Sequence, residues 1–295
     1  MLNSNDMRLF LKAIRIHQWA KNILIFIPLL AAHKFLDIPL LQKSILAFIS
    51  FSLCASAVYL LNDIIDIESD RQHEIKKHRP LASGKIPISL AKTCIPIFLI
   101  LSFLISLLLP RPFLYILSFY IMTTTAYSVV LKRMVLIDVM TLAALYTTRI
   151  FAGALAGEVE ISQWLLVFSM FLFASLAFVK RFSELQLLHI KNSEFGIGRG
   201  YMGKDISVIG DLGVASGYVS ILVMALYVSS DDIYSLYTRP HLMWMICPLL
   251  MYWISRVWLL TRRGEMHSDP ILFAITDKTS YVIGALCVLI IFLAT

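Results

Sequence analysis

Asn62-Asp63-Ile64-Ile65-Asp66-Ile67-Glu68-Ser69-Asp70 follows directly on the apolar run 43–61. On an α-helix of about 3.6 residues per turn, positions 63, 66 and 70 fall within roughly 60° of one another, so Asp63, Asp66 and Asp70 are expected to point at one volume. Three close carboxylates repel unless a cation lies among them. Oxygen-only ligands suit a hard divalent ion such as Mg²⁺, which keeps several waters and commonly bridges to substrate phosphates. The stretch therefore predicts a Mg²⁺ site at a membrane face, with Asp63, Asp66 and Asp70 as ligands, and a phosphorylated substrate.

Around it the chain of 295 residues is 59% hydrophobic and only 15% charged, with a mean hydropathy of +0.78. That is too apolar for a soluble domain and predicts an all-α, polytopic membrane protein. Apolar runs long enough to span a bilayer read at 23–36, 43–61, 93–109, 112–131, 135–156, 162–179, 208–229, 240–260 and 279–294, a bundle of nine transmembrane helices. The first run starts too late and lacks the small-residue site of a cleaved signal peptide, so this helix is expected to stay in the mature protein. Cys54, Cys94, Cys247 and Cys287 are scattered through apolar runs without ligand spacing and are read as packing residues.

Basic residues are segregated. Arg8, Lys12, Arg15 and Lys21 precede the first helix, and Arg71, Lys76, Lys77, Arg79, Lys85 and Lys92 follow the second. Lys132 and Arg133, then Lys180, Arg181, Lys191, Arg199 and Lys204, then Arg256, Arg262, Arg263 and Lys278 fall on the same side. The opposite loops carry only Lys34, Lys43, Arg111 and Arg239, and Arg149 lies within the fifth helix. The excess of lysine and arginine predicts a multi-pass protein of the inner (plasma) membrane, its N-terminus and carboxylate loop cytoplasmic. The net charge of +7 follows from this topology and from phosphate attraction, without nucleic acid. A single domain over 1–295 is expected, since no linker or repeat divides it. The polar interruptions 62–90 and 180–207 fall on the same face, and loops of that length are uncommon unless functional. Together they suggest one composite active site, and charge gathered at one face argues against a transporter.

The Asn62-Asp63, Asp66, Asp70 spacing, followed by Arg71 and then Lys76-Lys77-His78-Arg79-Pro80-Leu81-Ala82-Ser83-Gly84, resembles the first signature of the UbiA superfamily of intramembrane prenyltransferases. Tyr127-Ser128, Leu131-Lys132-Arg133, Asp138, and Arg149 with Gly153 and Gly157 are similar to that family's fourth and fifth helices. The resemblance implies a UbiA-like transferase bundle with cytoplasmic active-site loops. Where aromatic-acceptor members carry a second aspartate cluster, this chain reads Lys180-Arg181-Phe182-Ser183-Glu184-Leu185-Gln186, and Glu184, Glu194 and Asp205 are not spaced to replace it. That variant, with Ile14-Arg15-Ile16-His17-Gln18-Trp19-Ala20-Lys21-Asn22 and Gly198-Arg199-Gly200-Tyr201, resembles the decaprenyl-phosphate phosphoribosyltransferase branch. The resemblance implies Mg²⁺-dependent transfer of a 5-phosphoribosyl group from phosphoribosyl diphosphate to a polyprenyl phosphate, for cell-envelope polysaccharide precursors. The alternative is prenyl transfer from a polyprenyl diphosphate to a 4-hydroxybenzoate-type acceptor.

The residue chemistry fits a donor of this kind. One carboxylate cluster, Asp63, Asp66 and Asp70, serves one diphosphate leaving group, with Asn62 orienting a ligand or the diphosphate. Lys21, Lys76, Arg79, Lys132, Lys180 and Arg181 are candidates for phosphate oxygens, arginine being better suited to a bidentate grip. Tyr127 and Tyr201 are candidate hydroxyl donors, and Glu184 is a candidate for orienting a ribose hydroxyl or a basic neighbour. Arg149, a charge inside an apolar helix, is read either as a phosphate ligand or as the partner of Asp138 or another bundle carboxylate. The expected partners are a polyprenyl phosphate lipid, a phosphorylated sugar donor and the membrane. A bundle of this size is compatible with a monomer or a homo-oligomer.

Overall fold

The computed structural model describes residues 4–72, 76–190, 200–266 and 269–295. Lys191, Glu194, Gly198 and Arg199 lie outside the described residues. Helices make up the described regular structure, which contains no strand. Two compact units are distinguished, Met1–Ser128 with Thr148–Val159, and Val129–Thr147 with Glu160–Thr295.

The first unit begins with α1 (Ser4–Ala13), a 3₁₀ segment (Ile16–Phe26) and α2 (Ile27–Ala31). It continues through α3 (Ile38–Ile65), α4 (Ile67–Gln72), α5 (Ile88–Ser106) and α6 (Arg111–Val129). α7 (Ile137–Ala156) places its C-terminal half here and its N-terminal half in the second unit. The start of α3 is set by Asp37, whose carboxylate accepts from the Leu40 N–H at 3.2 Å, and by Pro39 in the first turn, where its missing N–H costs nothing. α3 packs on α5 and on the 3₁₀ segment. Ser50 and Ser102 bond each other's backbone carbonyls across the α3–α5 contact, a pairing that lets two apolar helices approach closely. Ala13, Ile14, Leu60, Leu81, Ile86, Ala91 and Cys94 close a core beneath the loop that follows α4.

The second unit holds α8 (Gln163–Ile190), α9 (Ile206–Val228), α10 (Ile246–Arg262), α11 (Pro270–Ala274) and α12 (Lys278–Ala294). α8 packs along α9, α9 against α10, and α10 against α12. Small residues make this possible. A Cβ added at Gly213 would sit 2.2 Å from the Trp258 ring, whose Nε1–H donates to Ser175 while Ser175 donates to the Gly213 carbonyl.

Each of the nine expected apolar runs coincides with a helical segment. Six helices among the described residues are long and apolar enough to cross a membrane, and Ile16–Ala31 and Lys278–Ala294 are shorter apolar helices. Exposed Leu, Ile, Val and Phe along α5, α9 and α12 give those helices lipid-compatible surfaces, as a polytopic membrane protein requires. Two boundaries depart from expectation. Helix begins at Ile16, before the apolar run, as 3₁₀ turns; and α8 continues to Ile190, through residues read as the start of a polar interruption.

Candidate active site

In the first unit, α3 stops at Ile65 because Asp66 leaves helical geometry (φ −89°, ψ 7°) as its C-cap, and α4 restarts at Ile67. The expected unbroken helical stripe is therefore interrupted at Asp66. Its phase nearly survives, since Asp66 N–H bonds the Asn62 carbonyl at 2.9 Å and Asp70 N–H bonds the Asp66 carbonyl at 2.8 Å. Asp63 and Asp70 are both buried, at 3% and 2% exposure, while Asp66 is half-buried. Arg79 joins the two buried carboxylates through one nitrogen, Nη1, at 3.2 Å from Asp63 Oδ1 and 2.6 Å from Asp70 Oδ2. Arg15 Nη2 lies 2.5 Å from the same Asp63 oxygen.

Local chain geometry aims both arginines. Arg15 stands at the junction of α1 and the 3₁₀ segment in the left-handed region, φ 52° and ψ 48°, which a side chain rarely adopts without compensation. Its guanidinium also stacks 4.9 Å from the Tyr59 ring centroid. Arg79 heads a tight loop: Ser83 N–H bonds the Arg79 carbonyl at 2.9 Å and Ile86 N–H bonds the Pro80 carbonyl at 3.1 Å, with Gly84 at φ 72° turning the chain. Lys76 is half-buried in the turn before Arg79 and offers its carbonyl to the Arg79 N–H. Arg71 pins the loop through the Ala82 carbonyl and Glu68.

No group of three His, Cys, Asp or Glu side chains among the described residues has metal-ligand spacing. The donors nevertheless fit a divalent ion in kind. Asp63 and Asp70 bracket a cation already, the guanidinium of Arg79, and the Oδ1 of Asn62, the residue before Asp63 in the chain, is buried with no hydrogen-bond partner. A buried acceptor without a donor is costly, and a cation would relieve it.

Deeper in the same unit, Arg149 is 4% exposed and donates through Nε to Asn22 Oδ1 at 2.8 Å and through Nη2 to the Tyr120 hydroxyl at 3.2 Å. Asn22 Nδ2 in turn donates to Ser52 at 3.0 Å, and Lys21, at 8% exposure, is its buried neighbour in the chain. Asn22 was not legible as the partner of Arg149, because the two lie 127 residues apart in the chain. Tyr127 is half-buried near the end of α6.

The second unit contains an ionic cluster. Arg181, 1% exposed on α8, forms ion pairs with Asp138 of α7 and with Glu184 one turn on. The Tyr201 ring lies 5.3 Å from the Arg181 guanidinium, and its hydroxyl donates to Asp138 Oδ1 at 2.5 Å while accepting from the Leu136 N–H at 2.8 Å. Burial, and then the bond to Asp138, push the Tyr201 phenol above its ordinary value, so it remains a donor at neutral pH. Arg181, Glu184 and Tyr201, expected at the substrate, are thus engaged with protein groups. Asp138, read as a partner for Arg149, is held by Arg181 and Tyr201 instead. Lys180 and Lys132 are half-buried, on α8 and in the turn Leu131–Arg133.

Residues 23–278 match the UbiA prenyltransferase family. The chain belongs to that family. It is 38% identical over 285 residues to an uncharacterised protein of Sinorhizobium fredii, covering 96% of this chain and 55% of that one, so it spans about half the length of that relative. It is 34% identical over 180 residues to the decaprenyl-phosphate phosphoribosyltransferase of Mycobacterium tuberculosis, 60% of each chain. Its fold is similar to a solved UbiA homologue from Archaeoglobus fulgidus bound to DMAPP and Mg²⁺, with a TM-score of 0.71 at 17% identity over 97% of this chain and 98% of that one. These relations fix the family and the multi-pass helical fold.

Proposed function

We propose that the chain moves a 5-phosphoribosyl group from phosphoribosyl diphosphate to a polyprenyl phosphate, with its loops on the cytoplasmic side of the inner membrane. The observation that carries the reading is the segment Lys180–Gln186. Its one carboxylate, Glu184, is committed to Arg181, so the segment lacks the paired acids that a second metal on a prenyl diphosphate would need. The likeness to the mycobacterial phosphoribosyltransferase supports the same choice.

Asp63, Asp66 and Asp70, with Asn62, would hold Mg²⁺, which when bound supplies positive charge to the departing diphosphate. Arg79 lies on the two buried carboxylates and would take a diphosphate oxygen in a charge-assisted bond. Lys76, three residues earlier in the chain, is a second candidate for the diphosphate oxygens. The acceptor phosphate is ionised at neutral pH, so its oxygen attacks the anomeric carbon without a strong general base, and orientation supplies much of the rate. The bond from the anomeric carbon to the diphosphate breaks, a bond to the acceptor oxygen forms, and diphosphate leaves.

A binding experiment tests the donor. The purified chain with Mg²⁺ should retain labelled phosphoribosyl diphosphate, and excess unlabelled phosphoribosyl diphosphate should displace it far better than geranyl diphosphate. Displacement mainly by geranyl diphosphate would favour prenyl transfer.

A further inference from the structure

Two carboxylates and two guanidinium groups meet at the end of α3. Asp63 accepts from both Arg15 and Arg79, and Asp70 from Arg79, so the four side chains carry no net formal charge. The acids are sealed, at 4% and 3% side-chain exposure, while Arg15 and Arg79 keep 23% and 30% of their side chains exposed. An anion arriving from solvent therefore meets the guanidinium groups first and the carboxylates only after these withdraw. Arg15 holds its place at the expense of a left-handed backbone, an unusual investment for an ordinary surface ion pair.

We propose that Arg15 is a further residue of the diphosphate site, acting with Arg79 as an internal counter-ion that hands Asp63 and Asp70 over to the metal. Before binding, the two guanidinium groups compete with a divalent cation for the carboxylates. When a diphosphate enters, its oxygens receive the guanidinium groups by charge-assisted bonds and the carboxylates turn to the metal. Metal and diphosphate then bind with positive coupling, each strengthening the other by the same factor. The inference rests on the proposed function only in that the donor carries a diphosphate, whether sugar or prenyl.

The test uses the full chain in detergent with two probes, Mn²⁺ alone and labelled inorganic diphosphate at fixed Mg²⁺. Arg15→Gln should bind Mn²⁺ alone about fivefold more tightly, because a competitor is gone, and bind diphosphate about tenfold more weakly, because a ligand is gone. Arg15→Lys should fall between, and Arg15→Gly, which suits the left-handed backbone, should reproduce Arg15→Gln with an unchanged melting temperature. Opposite signs for the two probes are the signature of the hand-over. Loss of both affinities together would mean that Arg15 only props the fold, and no change in either would mean that it is outside the site. Each result overturns the proposal. A chain that prefers a prenyl diphosphate would still give the expected pattern with inorganic diphosphate, so the donor assignment and this inference fail separately.

Discussion

Asp63 receives two arginines and Asp138 receives an arginine and a tyrosine, yet the two carboxylates are expected to behave differently on mutation. Asp63→Asn and Asp66→Asn should each lower turnover by about a hundredfold or more while leaving a folded, membrane-inserted protein, because the metal's charge compensation would be lost. Turnover near wild type in both variants would remove these residues from the site. Arg181→Ala should instead cost about 3 kcal/mol of stability, read as a lowered melting temperature, since Asp138 would be left buried and unpaired by a cation. Replacing the pair together, Arg181→Met with Asp138→Asn, should cost less than Arg181→Ala alone. The acidic stretch was legible because its spacing and its place after an apolar run are local. The fates of Arg181 and Tyr201 were not: a basic residue and a hydroxyl near a polar interruption look alike whether they meet substrate or each other. Their contacts with Asp138, more than forty residues distant in the chain, lay beyond a local reading.

Hydropathy located the helices and misjudged where some end. α8 runs on through Arg181 and Leu185 because both are buried on its packed face, and helical hydrogen bonds do not require apolar side chains. Close crossings are similarly invisible until the partner is known. A Cβ at Gly153 of α7 would lie 1.9 Å from the Ile25 carbonyl oxygen, a backbone atom that cannot rotate away, whereas Gly284 of α12 has nothing within 4 Å. Gly153→Ala should therefore destabilise the chain by about 1–3 kcal/mol, and Gly284→Ala should be neutral or stabilising by up to about 1 kcal/mol. Thermal melts of the two variants in one detergent would check the contrast. The join between α10 and α12 has a pH signature. Burial acts to raise the Asp277 carboxyl, but hydrogen bonds from Arg256 and Ser280, with the Arg256 charge, outweigh it and hold the carboxyl below its ordinary 3.8. A depressed carboxylate contributes stability above its unfolded value and loses it as pH falls through the folded one. The stability gap between wild type and Asp277→Asn should accordingly be constant near neutrality and shrink below about pH 4.

At the scale of the whole chain, family membership accounts for its succession of apolar helices, and in the first unit acids and arginines gather at a helix end. Fold class and family were legible because composition and a signature spread over many residues carry them. The sequence says less about the donor, because it does not show which charges pair with one another inside the protein. Chelation by EDTA should abolish turnover, and excess Mg²⁺ should restore it. The most direct trial of the central claim is turnover by the purified chain with Mg²⁺ and a polyprenyl phosphate, using phosphoribosyl diphosphate labelled in the sugar. Label in the lipid, with release of diphosphate, is the result expected. No labelled lipid, together with product from a prenyl diphosphate and 4-hydroxybenzoate under the same conditions, would contradict it.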